Sequence, residues 1–182
     1  MTTDLQITTA ALPTTLAEFE LWEPNDGYKY EWNDGELIKF TNMKRKHLKL
    51  IKKLNRLFLL SDGHQKGGEL ICEQDVMITG IQLRRPDMAF FTDEQINSEN
   101  DELIAEFYIK VISPNDQIKD VKKKIKEYFK NGVRVVWVVL PEEDMVEVYT
   151  SVRDIKVCME QDICSAAPVL DDFQISVEKL LA

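Results

Sequence analysis

The segment from Glu106 to Leu140 constrains the fold more than any other part of the chain. It opens with EFYIKVI, an apolar run broken by one interior charge, Lys110. The turn Ser113-Pro114-Asn115-Asp116 leads into a lysine-rich stretch carrying Ile118, Val121, Ile125 and Tyr128 at helical spacing. Gly132 suits the end of that helix, because it tolerates the left-handed backbone found there. Val133 to Leu140 is almost wholly apolar, as a strand covered on both faces must be. Strand, helix and strand in this order make a crossover, which implies a parallel pair. The expected class is therefore α/β or α+β, with a mixed sheet flanked by helices.

The flanking sequence fits around this unit. Residues 1 to 13 are Thr-rich without periodicity and read as a mobile arm; residues 14 to 182 read as a single domain. Thr15 three residues before Glu18 makes a capping box for a short helix through Trp22. Tyr28, Tyr30 and Trp32 alternate with Lys29 and Glu31, Asp34-Gly35 makes a turn, and Glu36 to Phe40 returns as an N-terminal β-hairpin. The aromatic side of that hairpin is expected to cover the core. A helix from Lys44 to Leu60 has Leu48, Ile51, Leu54 and Phe58 on its expected buried stripe, with Arg45, Lys49, Lys52 and Arg56 opposite. Leu70 to Thr79 reads as one long strand, Asp87 to Phe91 as another, and Thr92 to Glu102 as an acidic loop. Met145 to Thr150 and Ile155 to Glu160 follow as antiparallel strands, and the tail from Pro168 ends in a short helix.

A net charge of −9 argues against nucleic acid, but its distribution does not. Fourteen of the 23 basic residues fall within Met43–Arg56 and Lys119–Arg134. These are either solvated helix faces or stripes that contact phosphates. Cys72, Cys158 and Cys164 are odd in number, lack metal-ligand spacing and read as reduced thiols. The N-terminus lacks the basic and apolar regions of a secretory leader, and no apolar run reaches the ~18 residues of a membrane span. The expected location is cytoplasmic.

Asp87 opens its strand directly after Pro86, and Lys110 lies inside the next one. If these strands pair, a carboxylate and an ammonium meet on one face of the sheet. An unpaired ammonium in an apolar strand costs several kcal/mol, so Lys110 needs a carboxylate partner or an exposed face. On the following helix, Lys122 and Lys124 sit on the two shoulders of the apolar stripe, and a helical wheel does not choose between them.

Taken in order, YEWNDGELI, a helix containing His47, RRPDMAFF, VISPND, DVKKKIKEYFKNGVRVVWVVLPEEDMVEVY and PVLDDFQISVEKLL resemble one family. It is the bacterial family described as putative restriction endonucleases, within the PD-(D/E)XK nuclease-like superfamily. The resemblance covers about residues 14 to 182. It implies a restriction-endonuclease-like core and a Mg²⁺-dependent DNA endonuclease that often works as a homodimer. It places the motif aspartate on Asp87, the early hairpin glutamate on Glu36 and the superfamily lysine on Lys124. Asp87 and Glu36 would hold the metal. Read from the residues themselves, Arg45 and Lys49 of the basic stripe, His47 and Arg85 are the candidates to contact substrate, the alternatives being a solvated helix face, a structural histidine and a polar strand entry.

The resemblance also exposes a departure. The strand residue expected as a second metal-binding glutamate is Lys110, in Lys110-Val111-Ile112-Ser113. That exchange changes the local charge by about two units and brings donors without a lone pair. The ammonium is expected to pair with Asp87 and weaken metal binding. Glu106, roughly 13 Å away along the strand, and Glu73 are the other acids that could compensate. The alternative to an active nuclease is therefore a degenerate member that binds DNA or a protein partner without cutting.

Overall fold

The computed structural model describes residues 12–40, 45–79, 81–100, 104–114 and 116–182. The expected arm lies outside these residues except for Leu12 and Pro13, and Pro13 is buried. Helix α1 (Leu16–Glu20) begins with the capping box its sequence encodes. The Thr15 hydroxyl accepts from the Glu18 N–H, and the Glu18 carboxylate accepts from the Thr15 N–H. Strands β1 (Lys29–Asn33) and β2 (Glu36–Phe40) form the hairpin. Asp34 and Gly35 both have positive φ, 50° and 85°, which matches the twist of a two-residue hairpin. Tyr30 and Trp32 pack with Phe19 into a small aromatic core. The other face of β1 carries Glu31 and Asn33, and these are buried too.

Helix α2 (Arg45–Phe58) and the short α3 (Asp62–Gln65) precede β3 (Glu69–Cys72), β4 (Val76–Thr79), β5 (Gln82–Arg84) and β6 (Met88–Phe91). The expected long strand from Leu70 to Thr79 is thus two strands in different sheets. The break is at Glu73, whose φ is 55°, a value no strand accommodates. Helix α4 (Asp93–Ile96) adds one capped turn in the acidic loop. Then come β7 (Phe107–Val111), α5 (Ile118–Lys130), β8 (Val135–Leu140), β9 (Met145–Tyr149) and β10 (Ile155–Met159). A hairpin of β11 (Ile163–Ala166) and β12 (Leu170–Ser176), unforeseen from sequence, precedes α6 (Val177–Leu181).

The larger sheet has the order β10-β9-β8-β7-β6-β3, and the smaller β2-β1-β5-β4. Strands β7 and β8 run parallel, joined by α5 as the crossover requires. Leu50, Ile51, Leu54 and Phe58 of α2 share one core with Met88, Phe90, Phe107, Ile109 and Trp137. Val121, Ile125 and Tyr128 of α5 share the other with Ala89, Tyr108, Val136 and Val138. The two helices therefore cover opposite faces, because alternate strand residues point opposite ways.

Two stripe residues depart from expectation: Leu48 is 54% exposed and Ile118 49%. The buried face of α2 is turned toward Leu50. His47 lies three and four residues before Leu50 and Ile51, so this rotation carries it to the sheet side.

Gly68 marks a tight crossing. A Cβ there would lie 2.7 Å from the Phe90 ring and 2.9 Å from the carbonyl oxygens of Gly63 and Phe91. Backbone cannot yield as a side chain does. Gly68→Ala is expected to destabilise the fold by about 1–3 kcal/mol, read as a lowered urea midpoint at unchanged slope.

Candidate active site

The site forms where β6 begins and β7 ends, beside the buried polar face of β1. Met88 pairs with Ile109 in the antiparallel β6–β7 ladder, so Asp87 and Lys110 come opposite one another one step further on. Lys110 Nζ lies 3.3 Å from Asp87 Oδ2 and 3.5 Å from Asp116 Oδ1. Asp87 Oδ2 also accepts from the Val111 N–H at 2.6 Å. His47 reaches over from α2 and brings Nε2 to 3.2 Å from Asp87 Oδ1.

A second group of charges adjoins the first. Lys124 Nζ donates to Glu31 Oε2 at 2.5 Å. The Arg85 N–H donates to Glu31 Oε1 at 3.1 Å. Arg84, 1% exposed, donates to Asn33 Oδ1 at 2.7 Å and Glu127 Oε2 at 2.6 Å, and lies 3.7 Å from Glu31 Oε2. β1 and β5 supply this cluster because Glu31 and Asn33 share a face with Gln82 and Arg84 across the ladder.

The structure therefore brings Asp87, Lys110, Lys124 and His47 together. Lys124 is the shoulder lysine that reaches the sheet, while Lys122 is exposed. Glu36 stands apart, exposed beside the hairpin turn. Glu31, on the buried face of the same hairpin, is the glutamate that meets Lys124 and the Arg85 N–H. Arg85 clamps Asp75 through two bonds of 2.6 and 2.5 Å rather than pointing an unpaired fork at the site. Arg45 and Lys49 are exposed on α2. The two acids considered as compensation are engaged elsewhere: Glu106 pairs with Arg134 at the surface, and Glu73 pairs with Lys29. Asp116, read from sequence only as a turn residue, is the second acid that meets Lys110, beside Asp87.

Electrostatics follow from this packing. Burial pushes the Asp87 carboxyl up, but Lys110, His47 and the Val111 N–H outweigh it and hold it below the ordinary carboxylate range. Burial pushes the Lys110 ammonium down, and Asp87 and Asp116 outweigh that to raise it. A carboxylate with a depressed pKa contributes stability above its unfolded value, about 3.9, and loses it as pH falls through the folded value. Asp87→Asn is expected to be less stable than the native chain at pH 7. The gap should begin to narrow as pH drops below the unfolded value of about 4 and close as it falls through the lower pKa of native Asp87. Urea midpoints of both proteins across pH 2.5–7 (roughly the interval spanned by the two carboxylate states) measure this.

The family resemblance implies a divalent metal. A hard cation needs several oxygen ligands with free lone pairs. Among the described residues, no group of three His, Cys, Asp or Glu side chains is placed to hold an ion. Asp87 faces an ammonium where the second acid would stand, and Glu31 is engaged by Lys124 and Arg84. These residues do not fit a metal.

A family profile, Uma2, described as putative restriction endonuclease, matches residues 16–178. The chain belongs to the Uma2 family. No curated protein matches it. Among solved structures, a protein titled a putative nuclease belonging to DUF820, from Anabaena variabilis ATCC 29413, superposes with a TM-score of 0.79 at 22% identity. The match covers 93% of this chain and 98% of that one, and it shows that this Uma2 chain has the fold of that protein. Among the described residues, no helix is long and apolar enough to cross a membrane.

Proposed function

We propose that this Uma2 protein binds DNA through a nuclease fold without hydrolysing it, its reaction centre having become a set of ion pairs. One observation carries the reading: the Lys110 ammonium lies 3.3 Å from Asp87 Oδ2 and 3.5 Å from Asp116 Oδ1. Metal-assisted phosphodiester hydrolysis needs carboxylates to hold the ion that activates water. Here a fixed positive charge competes for the carboxylate that would do so.

Binding is supported by where the basic residues stand. Helix α2 exposes Arg45, Lys46, Lys49, Lys52 and Arg56, and α5 exposes Lys119, Lys122, Lys123, Lys126 and Lys130. Both helices are tied to the same site, α2 through His47 and Asp87, α5 through Lys124 and Glu31. Phosphate contacts from such stripes do not require an intact catalytic centre.

The test pairs a cleavage assay with a binding assay. Supercoiled plasmid is expected to remain intact with Mg²⁺ or Mn²⁺. Affinity for duplex DNA, followed by fluorescence anisotropy, is expected to fall log-linearly with salt. Lys49→Glu/Lys52→Glu should weaken binding and lower the salt slope by about 0.9 for each phosphate no longer neutralised. Metal-dependent nicking by the native chain would establish the active-nuclease reading instead. Intact plasmid with no salt-dependent binding would direct attention to a protein partner.

A further inference from the structure

We infer that the Lys110 ammonium is a tethered cation filling a divalent-ion seat, and that Asp116 is the second carboxylate of that seat. The inference rests on the non-cleaving reading above and adds the identity of the acid and the cause of the block. Both carboxylates are held by bonds that do not involve the ammonium. Asp87 Oδ2 accepts from the Val111 N–H at 2.6 Å. Asp116 Oδ2 accepts from the Ser113 N–H and the Ser113 hydroxyl, each at 2.7 Å. That leaves Asp116 Oδ1 aimed at Lys110. The side chains of Asp87 and Asp116 are only 12% and 10% exposed. Two fixed, poorly solvated carboxylates thus face one point, and a positive charge occupies it.

Removing the ammonium leaves those carboxylates facing each other with the charge between them missing. A small side chain at position 110 opens the space, and a hard cation with oxygen ligands is the chemistry that relieves it, water filling the remaining positions. Adding a third carboxylate is not required. Asp116 belongs to the turn that starts the crossover to α5, so its contribution comes from a different element than the strand position it replaces.

The probes are Mn²⁺ and Mg²⁺ alone, titrated calorimetrically into the native chain, Lys110→Ala and Lys110→Ala/Asp116→Asn. The expected result is no saturable site in the native chain and one site in Lys110→Ala, at least tenfold tighter than anything the native chain shows. The added Asp116→Asn should weaken that site tenfold or more. Should Lys110→Ala not fold in metal-free buffer, its melting temperature is followed through a Mn²⁺ titration. A rise that Asp116→Asn abolishes is the same result; no rise overturns the inference. A Lys110→Ala protein that folds and binds no ion also overturns it, while leaving the non-cleaving reading intact. A native chain that binds the ion and nicks plasmid overturns both.

Discussion

Arg84→Met is expected to destabilise this protein by about 3–5 kcal/mol, the range for breaking a buried ion pair by removing one partner. Arg84 is 1% exposed and bridges three elements: Glu31 and Asn33 on β1, Glu127 on α5, and its own strand β5. Methionine fills much of the volume and supplies none of the charge. Glu31 keeps Lys124, but Glu127 loses its close cation and Asn33 loses a donor. For a chain of this size the loss corresponds to a fall in melting temperature of roughly 10 °C. Arg134→Met is the control, because its pair with Glu106 is about half exposed on both sides. A solvated pair of that kind contributes about 1 kcal/mol or less. If the two substitutions lower the midpoint equally, the buried network does not hold the hairpin sheet to α5.

That network also marks where the sequence was legible and where it was not. The crossover from β7 through α5 to β8 could be read directly, because two apolar runs and a helical repeat allow few other arrangements. The contact of Lys110 with Asp87 was reachable for a physical reason: a lone ammonium in an apolar strand needs a partner, and neighbouring strands often pair. Glu31 was hidden by the same alternation that revealed its strand. With Tyr30 and Trp32 on one side, its own side reads as facing water, and only Lys124 from α5 and Arg84 from β5, closing over it, reverse that. Asp116 was hidden because Asp in a Ser-Pro-Asn-Asp turn explains itself locally. Lys122 and Lys124 differ by about 200° on a wheel, yet each lies on a shoulder of the stripe, so tertiary structure had to choose. The β3–β4 break was illegible because the backbone of Glu73, not its side chain, makes it.

Lys110→Glu is expected to have opposite consequences in the absence and presence of a divalent ion. Without metal, the substitution sets a third carboxylate beside Asp87 and Asp116 and removes the cation both contact. The expected loss is about 3–5 kcal/mol, as for any buried charge stripped of its partner. Part of it is relieved if one carboxyl keeps its proton, since like charges raise each other's pKa. The loss should therefore be smaller at pH 5 than at pH 8, which distinguishes repulsion from a simple packing defect. With Mn²⁺ at one hundred times its dissociation constant, binding restores about 2.7 kcal/mol. The native chain, carrying its own ammonium in that position, should gain nothing from the same ion. Urea midpoints of both proteins at the two pH values, each with and without Mn²⁺, separate these effects. A variant as stable as the native chain without metal would mean that Lys110 contributes no net charge compensation. A native chain stabilised by Mn²⁺ as much as the variant would place the ion somewhere other than between Asp87 and Asp116. Stabilisation of the variant alone would mean that the scaffold retains the geometry of a metal centre and that one side chain, by its sign, keeps the metal out.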